Sequence, residues 1–338
     1  MTRTLWFVAP PLDGPVSGGT LYNREIVKAL VARGALVDRL DPESARRSVA
    51  AGVPGLYLVD TLYLRALAEL GNVSRSRCTL ALLGHYLPSL VSKGEGLSLD
   101  DLDDDERLAL DAADAFVAPS AFMQRTLSRF DSRGRPSVVV EPATLASGVA
   151  AAATRSGSLR AIIVANLTPG KGVEPFLSAL SRSALRSDAF ELEIVGSPNL
   201  DPKYASACSL AAGGDARIHF AGAVDPLELV RRIAESDLLI SASRMESFGM
   251  ALAEARTLGV PIAARAGGNV ASHVSEMAGG ELCANESELA LAFLLLCRNR
   301  EELTARIERA RRHARPPRGW SDAAEELLAH APRLHLGA

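Results

Sequence analysis

The chain has 338 residues and a formal net charge of -3 at pH 7, with 48% hydrophobic and 23% charged residues. This length suits two domains, and the composition is ordinary for a globular protein. The charge excludes a general attraction to nucleic acid or to an anionic membrane. No apolar run reaches the roughly 20 residues that a membrane-spanning helix requires.

The first residues and the cysteines indicate the compartment. The start, MTRTLWFVAPPLDG, has an apolar run that is too short for the core of a secretory signal and that predicts a buried strand. The four cysteines lack CxxC spacing, which favours buried free thiols over disulfides or metal ligands. These features predict a protein of the reducing cytoplasm.

The first half of the chain alternates short apolar runs with amphipathic ones. Strands are predicted at 5–9, 35–38, 55–59, 78–83, 115–118 and 137–140, and helices at 20–33, 61–70, 103–113 and 120–130. Thr20 is the expected N-cap of the first helix and Gly34 its C-terminal glycine. Repeated strand–helix units predict a parallel sheet with helices on both faces.

The pattern restarts after a stretch of small residues at 142–158, which we interpret as a linker. Strands are predicted at 159–165, 190–195, 217–221, 237–241 and 260–264, and helices at 173–182, 225–235 and 249–258. The predicted fold class is therefore α/β, with two Rossmann-like doubly wound domains that face a central cleft. Ligands of such sheets bind beyond the carboxyl ends of the strands.

Two charged runs are interpreted structurally. DDLDDDER, at 100–107, is typical of a solvated face and a helix start, where negative charge suits the helix dipole. The basic run RIERARRHARPPRGW is typical of an exposed helix face that stops at Pro316-Pro317, with a patch for an anionic lipid or acceptor as the alternative. A final helix is predicted from Trp320-Ser321-Asp322, with Ser321 as its cap.

Two loops of the first domain are candidate binding segments. In PPLDGPVSGGT, Gly18 and Gly19 precede a helix, where backbone N–H groups favour an anion. The dinucleotide fingerprint GxGxxG is absent, and a simple tight turn remains an equal alternative. In ALLGHYLPS, His85 ends a buried strand and would point into the cleft, although a lone histidine is more often structural.

Two further loops lie in the second domain. In VANLTPGKGVEPFL, Lys171 sits just before a helix, where an ammonium group could meet phosphate oxygens. The order of residues does not match a Walker A loop, and by itself this stretch indicates no more than a surface lysine.

The stretch SRMESFGMALAEARTLGVPIAARAGG holds two glutamates, Glu246 and Glu254, eight residues apart. Phe248, Gly249 and Met250 stand at the expected helix start, where N–H groups are free. A carboxylate is a good acceptor for vicinal hydroxyls, and free amides suit a phosphate or sugar oxygen. Two solvated glutamates are the alternative, but Glu254 falls in an otherwise apolar helix.

This stretch resembles the signature of the retaining nucleotide-sugar glycosyltransferases of family 4, which have the GT-B fold. The E-x7-E motif stands as Glu246 and Glu254 with the Phe-Gly-Met core intact. VAPSAFMQRTL, LEIVGSPNL and IHFAGAVDPLELVRRIAESDLLISAS resemble further family segments, so the likeness covers nearly the whole chain. Each of these further segments alone is weak evidence for the resemblance, and together they are strong evidence.

The resemblance implies a role for each matching residue. Glu254 would accept hydrogen bonds from the nucleotide ribose, and Glu246 would contact the donor sugar. The amides of Phe248, Gly249 and Met250 would hold sugar hydroxyls or phosphate.

The resemblance also implies how the reaction proceeds. Lys171 and the Gly19 amide would stabilise the leaving diphosphate, and His85 would lie near the reaction centre. The anomeric configuration would be retained, and neither a metal nor another cofactor is implied, because protein cations serve the diphosphate.

One departure from the family concerns the charge of the phosphate site. The family pattern G-R-L-x-x-x-K-G has an arginine where this chain has Asn166. Asparagine donates a hydrogen bond without charge, and a charged donor binds roughly twice as strongly. Either Arg244 or Arg265 compensates, or phosphate binding is weakened, or the activity has drifted.

The resemblance predicts three segments: an acceptor-binding domain at 1–150, a donor domain at 151–318, and a C-terminal helix at 319–338 that crosses back to the first domain. The expected activity is transfer of a hexosyl-type sugar from a nucleotide-sugar, with UDP favoured over GDP. The acceptor would be a hydroxyl of a small molecule, a saccharide or a lipid head group. No nucleic-acid partner is expected, and membrane contact is not favoured.

Three alternatives remain beside this activity. A GT-B relative could catalyse pseudo-glycosyl coupling or phosphorolysis. A non-catalytic nucleotide-sugar-binding protein is the third, and Asn166 makes it plausible. An oxidoreductase is disfavoured because GxGxxG is missing.

Overall fold

The computed structural model describes residues 4–14, 17–74, 77–146, 148–149, 157–185, 187 and 189–334. The chain forms two compact units, one from residues 1–143 with 318–338 and one from residues 144–317. The predicted boundary at 150–151 lies outside the described residues. Among the described residues, no helix combines the length and apolarity needed to cross a membrane.

The first unit contains a six-stranded parallel sheet in the order β2-β1-β3-β4-β5-β6. Its strands are β1 (Leu5–Val8), β2 (Val37–Leu40), β3 (Gly55–Asp60), β4 (Cys78–Leu83), β5 (Ala115–Ala118) and β6 (Ser137–Val139). Every residue of β3, β4 and β5 is buried, which explains why they are continuous apolar runs in the sequence.

In the described part of the first 143 residues, six α-helices accompany this sheet. They are α1 (Gly18–Ala32), α2 (Pro42–Ala50), α3 (Leu64–Gly71), α4 (Pro88–Lys93), α5 (Asp104–Ala112) and α6 (Ala121–Arg129). The sequence did not predict α2 and α4, which are short and begin with proline at the first turn.

The N-cap predicted for α1 is wrong. Ser17 caps the helix, because its side chain accepts the Thr20 N–H at 3.2 Å while the Thr20 hydroxyl accepts the Ser17 N–H at 2.7 Å. This reciprocal pair is a capping box. Gly18 and Gly19 are therefore the first residues of the helix rather than a loop before it.

The second unit contains another six-stranded parallel sheet, in the order β12-β11-β10-β7-β8-β9. Its strands are β7 (Leu159–Val164), β8 (Phe190–Val195), β9 (Ile218–Gly222), β10 (Leu238–Ser241), β11 (Ile262–Arg265) and β12 (Glu281–Cys283). The helices are α7 (Val173–Arg182), α8 (Pro202–Ala212), α9 (Pro226–Ala234), α10 (Met250–Leu258), α11 (Glu286–Arg298) and α12 (Arg300–Arg312). One core cluster contains Phe176, Phe190 and Phe293, whose rings touch.

The last helix, α13 (Trp320–Leu334), belongs to the first unit and packs on α1. The Trp320 ring lies edge-on to the Tyr22 ring at 5.7 Å. The predicted cap Ser321 is wrong, since the helix has already begun at Trp320.

The charged runs differ in part from the sequence interpretation. Within the acidic run, Glu106 is fully buried, and its carboxylate accepts the backbone N–H groups of Ser89 at 2.9 Å and Asp103 at 2.8 Å. It is thus a buried cap and not part of a solvated face. In the basic run, α12 already ends at the C-cap His313, before the two prolines. The four cysteines are buried and none of them forms a disulfide, as predicted.

Candidate active site

The second sheet has a topological switch point between β7 and β10. These strands pair in parallel, and the chain runs from β7 to one side of the sheet and from β10 to the other. Ligands of doubly wound sheets bind beyond the carboxyl ends of the strands at such a point. The loops that follow β7 and β10 hold most of the predicted donor-site residues.

These two loops lie against each other. The Arg244 N–H donates to the Gly170 carbonyl oxygen at 3.0 Å. A Cβ on Gly172 would lie 2.1 Å from the Ala242 carbonyl oxygen, and the φ of Gly172 is +65°. Only glycine fits there, which accounts for the Lys-Gly pair in the sequence.

Lys171 and Glu246, both predicted site residues, form an ion pair. The Lys171 Nζ lies 2.6 Å from the Glu246 Oε1, and the two side chains are 33% and 17% exposed. The carboxylate therefore holds the ammonium group in the loop, within reach of solvent.

The paired glycines at the end of the stretch SRMESFGMALAEARTLGVPIAARAGG have a steric role. A Cβ on Gly267 would lie 2.0 Å from the Arg244 carbonyl oxygen, and one on Gly268 would lie 2.4 Å from the Glu246 carbonyl oxygen. The Asn269 N–H then donates to the Glu246 carbonyl at 2.7 Å. The segment that carries Glu246 is thus fixed by close backbone packing.

The start of α10 differs slightly from the sequence prediction. The helix begins at Met250, with Gly249 as the N-cap at a φ of +92° and without a capping side chain. Phe248 and Gly249 therefore precede the helix, and so does Glu246. The first N–H groups of α10 have no side-chain cap, and a helix N-terminus of this kind favours negative charge.

His273 and Asn269 hold the turn before α10, and no sequence motif marks them. The Phe248 carbonyl oxygen accepts the Asn269 Nδ2 at 2.9 Å and the His273 Nε2 at 2.7 Å. Burial lowers the pKa of His273 to about 4, so the ring is neutral near pH 7 and donates through Nε2. The residues after the glycine pair, NVASHVSE, mix polar and apolar types and give no sequence signal for this contact.

Glu254 lies inside the second unit, with only 6% of its surface exposed. Its Oε1 accepts the Leu145 N–H at 2.6 Å, whereas Oε2 is buried and has no hydrogen-bond partner in the described part of the chain. Burial raises the pKa of this carboxyl group to about 7. A buried carboxylate oxygen without a hydrogen-bond donor lowers the stability of the folded protein. A ligand whose hydroxyl groups donate to this oxygen removes that cost and therefore binds more tightly.

Asn166 joins the loop after β7 to the loop after β8. Its Oδ1 accepts the Ser197 N–H at 2.9 Å. A Cβ on the neighbouring Gly196 would lie 1.9 Å from the Ala165 carbonyl oxygen, so the two backbones touch there. The asparagine therefore has a structural role that an arginine could not fill.

Of the two cations considered as a compensation for Asn166, one is engaged. Arg265 donates to the Arg244 carbonyl oxygen at 3.1 Å, and its Nε lies 3.3 Å from a Glu286 carboxylate oxygen. The Arg244 side chain is exposed and forms no ion pair with any described residue. Arg244 is accordingly the cation of this loop that is available to an anion.

In the first unit, the structure brings Gly19 and His85 together. A Cβ on Gly19 would lie 3.2 Å from the His85 ring. The His85 Nε2 lies 2.9 Å from the Asn23 Oδ1, and burial lowers the pKa of the ring while Asp60 raises it. The first turn of α1 therefore meets the loop after β4 near the carboxyl ends of the strands.

A cavity of about 670 Å³ opens on the same unit. Polar side chains that line it are Thr61, Tyr63, Arg65, Glu69, Tyr86, Asp103, Asp104, Asp105 and Glu106. Its size is typical of a small-molecule site, and two tyrosine rings and several carboxylates suit a ligand rich in hydroxyl groups.

Residues 149–313 match the family model described as "Glycosyl transferases group 1". This match covers most of the second unit, including all of its predicted donor-site residues, and supports a glycosyltransferase. No curated protein sequence matches the chain.

Solved structures resemble the whole chain. A sucrose-phosphate synthase (tll1590) from Thermosynechococcus elongatus has a TM-score of 0.74 at 17% identity, covering 98% of this chain and 99% of that one. Anabaena Alr3699/HepE in complex with UDP and glucose has a TM-score of 0.72 at 17% identity, covering 97% and 99%. WaaG, a glycosyltransferase of lipopolysaccharide biosynthesis, has a TM-score of 0.70 at 13% identity, covering 97% and 99%. These likenesses confirm the predicted GT-B fold.

Proposed function

We propose that the protein is a retaining glycosyltransferase of the family 4 type, which transfers a hexosyl-type sugar from a nucleotide-sugar to a hydroxyl acceptor. No metal takes part, and the protein works in the cytoplasm. The observation that carries the proposal is the Glu254 carboxylate. Among the described residues, none donates to its buried Oε2, and no side chain caps the first N–H groups of the helix that carries it.

The donor binds to the second unit. The ribose hydroxyls donate to Glu254, which requires the covering backbone of Leu145 to shift or the side chain to turn. The diphosphate lies at the first turn of α10, where N–H groups, Lys171 and Arg244 supply positive charge. Glu246 accepts hydrogen bonds from the donor sugar.

The reaction exchanges one bond at the anomeric carbon. The bond to the diphosphate oxygen breaks, the acceptor oxygen bonds to the same face of the sugar, and a donor phosphate oxygen takes the acceptor proton. The nucleoside diphosphate leaves with that proton. The role of Lys171 is to stabilise the charge that develops on the leaving group.

The acceptor binds to the first unit. The 670 Å³ cavity beside Tyr63 and Tyr86 accommodates a small molecule or a short saccharide. UDP is favoured as the nucleotide over GDP, in keeping with the complexes of Alr3699/HepE with UDP and UDP-glucose.

Calorimetric titration of the purified protein with UDP, GDP and dTDP, in the presence of EDTA, tests the donor site. We expect UDP to bind most tightly and Glu254→Ala to weaken its binding at least tenfold. If none of the three binds to the folded protein, the proposal is wrong. Turnover of UDP-glucose with sugar acceptors, with the product anomer identified by NMR, then tests transfer and retention.

A non-catalytic nucleotide-sugar-binding protein is the second candidate. The observation that favours it is the Asn166 side chain, which is uncharged and bonded to Ser197. Such a protein would bind UDP in the titration but would neither transfer the sugar nor slowly hydrolyse the donor.

A further inference from the structure

Three polar side chains of the first unit form a hydrogen-bonded chain that ends at His85. Asp60, at the end of β3, and Asn23, in α1, are each 1% exposed, and the His85 side chain is 9% exposed. The Asn23 Nδ2 lies 2.5 Å from the Asp60 Oδ2, and the Asn23 Oδ1 lies 2.9 Å from the His85 Nε2. None of this was visible in the sequence.

The order of donors along this chain is determined by Asp60. An ionised carboxylate can only accept, so Asn23 must turn its NH2 group towards Asp60 and its oxygen towards His85. An amide oxygen also only accepts, so the His85 Nε2 must carry a proton. The other carboxylate oxygen of Asp60 accepts the Leu62 N–H at 2.7 Å, which holds Asp60 in place.

The second ring nitrogen of His85 is left as an acceptor. The ring is neutral because burial lowers its pKa, so a proton on Nε2 leaves Nδ1 with a lone pair. Among the residues that the structure describes, none donates to Nδ1. The Tyr22 ring, edge-on at 5.0 Å, restricts the rotation of the imidazole.

We propose that Asp60 and Asn23 are positioning residues that hold His85 in the Nε2-protonated tautomer, so that Nδ1 accepts a hydrogen bond from a substrate hydroxyl group. This assignment of a substrate contact rests on the proposed glycosyl transfer. The tautomer itself does not, and it can be measured in the absence of any substrate. The competing interpretation is that the three side chains only join α1, β3 and the loop after β4.

The test is a long-range 1H–15N correlation spectrum of the full chain labelled with 15N-histidine, at pH 7.5. A His85→Gln variant identifies the His85 signals by their loss. We expect the wild-type ring to be neutral and protonated at Nε2. A ring protonated at Nδ1 would overturn the proposal, whether or not any variant folds.

The Asp60→Asn variant tests the role of the carboxylate. The Leu62 N–H still needs an acceptor, so the new amide must turn its oxygen to Leu62 and its NH2 to Asn23. Asn23 then reverses and offers its own NH2 to the His85 Nε2, which moves the imidazole proton to Nδ1. Asp38→Asn is the matched control, since Asp38 is exposed on β2 and, among the described residues, accepts only from the adjacent Arg39 N–H.

Kinetics separate positioning from a purely structural role. We expect Asp60→Asn to lower kcat about 10- to 100-fold while the dissociation constant of UDP changes less than about twofold, as for other residues that orient a functional imidazole. If Asp60→Asn reverses the tautomer but leaves kcat unchanged, the hydrogen bonds among Asp60, Asn23 and His85 have a structural role only. If the wild type has no transferase activity, the proposed function fails, whereas the tautomer measurement still decides the role of Asp60 and Asn23.

Discussion

The buried Glu254 carboxyl group lowers the stability of the folded protein as it ionises. Its pKa is raised from 4.5 to about 7 in the folded state by burial. The folded state thus binds the proton more tightly than the unfolded chain, so stability falls as pH rises from 4.5 to 7. Above pH 7 the penalty is complete and amounts to roughly 3 kcal/mol, at about 1.4 kcal/mol for each pKa unit.

Glu254→Gln should therefore raise stability at pH 8 and lower nucleotide affinity. The amide resembles the protonated acid, so we expect a gain of about 1–3 kcal/mol at pH 8 and none at pH 4. The loss of a charged acceptor should weaken UDP binding about tenfold or more. Urea unfolding at both pH values and calorimetry measure the two effects.

Glu191→Gln is the control for this change, because Glu191 is exposed on β8 of the same unit. It should alter neither stability nor UDP affinity. If Glu254→Gln lowered the free energy of unfolding equally at pH 4 and pH 8, burial of the ionised carboxylate would not be what destabilises the wild type.

Arg244 should provide the charge that Asn166 lacks. We expect Arg244→Gln to weaken UDP binding about 10- to 100-fold, because a hydrogen bond between charged groups contributes about 1.5–3 kcal/mol. Uridine, which has no phosphate, should bind the variant and the wild type equally. Titrations with both ligands at low salt measure the difference.

Arg231→Gln is the matched control, since Arg231 is 58% exposed on α9 and pairs with Glu228. An equal loss of uridine and UDP affinity in Arg244→Gln would mean that the residue supports the loop rather than the phosphate. Asn166→Arg is a poor test of the same idea, because it removes the acceptor of the Ser197 N–H.

At the scale of secondary structure, the loop before α10 depends on a buried neutral histidine. The pKa of His273 is lowered from 6.5 to about 4 by burial, so the folded state binds the proton less tightly than the unfolded chain. The stability that this group confers is complete above pH 6.5 and is lost as pH falls through 4.

His273→Phe should make the free energy of unfolding less dependent on pH below pH 6.5. The ring volume is kept, so the variant loses about 1 kcal/mol at pH 7 with the hydrogen bond to Phe248. Between pH 6.5 and 4 the wild type should lose up to roughly 3 kcal/mol more than the variant. Thermal unfolding across this range gives the comparison.

The exposed His219 on β9 provides the reference, and His219→Gln should keep the wild-type profile. Parallel profiles for His273→Phe and the wild type would show that His273 is not buried as a neutral ring.

The predicted helices and strands agree best with the structure where the hydrophobic pattern of the sequence is strong. The predicted bounds of β4, β5, α7 and β8 coincide with the structure, because buried parallel strands and an amphipathic helix have clear periods. The start of α1 was predicted too late, because Gly18 and Gly19 have poor helix propensity and the capping box at Ser17 overrides it. Helices α2 and α4, which are short and begin with proline, were missed, and so were α8, α11 and the three-residue strand β12.

At the scale of the whole molecule, each unit has its own hydrophobic core. Leu327 of α13 is 1% exposed in the core of the first unit, together with β1 residues that are more than 300 positions earlier in the chain. The second unit has separate clusters on the two faces of its sheet. The stability of the first unit therefore depends on the last residues of the chain.

Leu327→Ala should destabilise the first unit by about 2–5 kcal/mol, since a buried leucine leaves a cavity when truncated. The second unit should keep its stability. Limited proteolysis followed by mass spectrometry should release peptides of 17–143 before those of 189–313. Leu227→Ala, at a position that is 64% exposed, should leave the order and rate of cleavage unchanged. If both units of Leu327→Ala were cleaved at the same rate, the two hydrophobic cores would not be independent.

The α/β class, all strands except β12 and the residue types of the donor site follow from the sequence alone. Apolar periods, glycine pairs and the E-x7-E spacing are local signals, and they need no knowledge of contacts between distant residues. The resemblance carried by those motifs also implied the activity that we propose.

The pairing of those residues, in contrast, follows from the folded contacts. The ion pair of Lys171 with Glu246 joins positions 75 residues apart, and the bond from Leu145 to Glu254 spans 109. Asp60, Asn23, Asn269 and His273 carry no motif, because a hydrogen-bond partner is defined by geometry and not by spacing along the chain. The protonation of Glu254 and His273 likewise follows from burial, which only the packed core establishes.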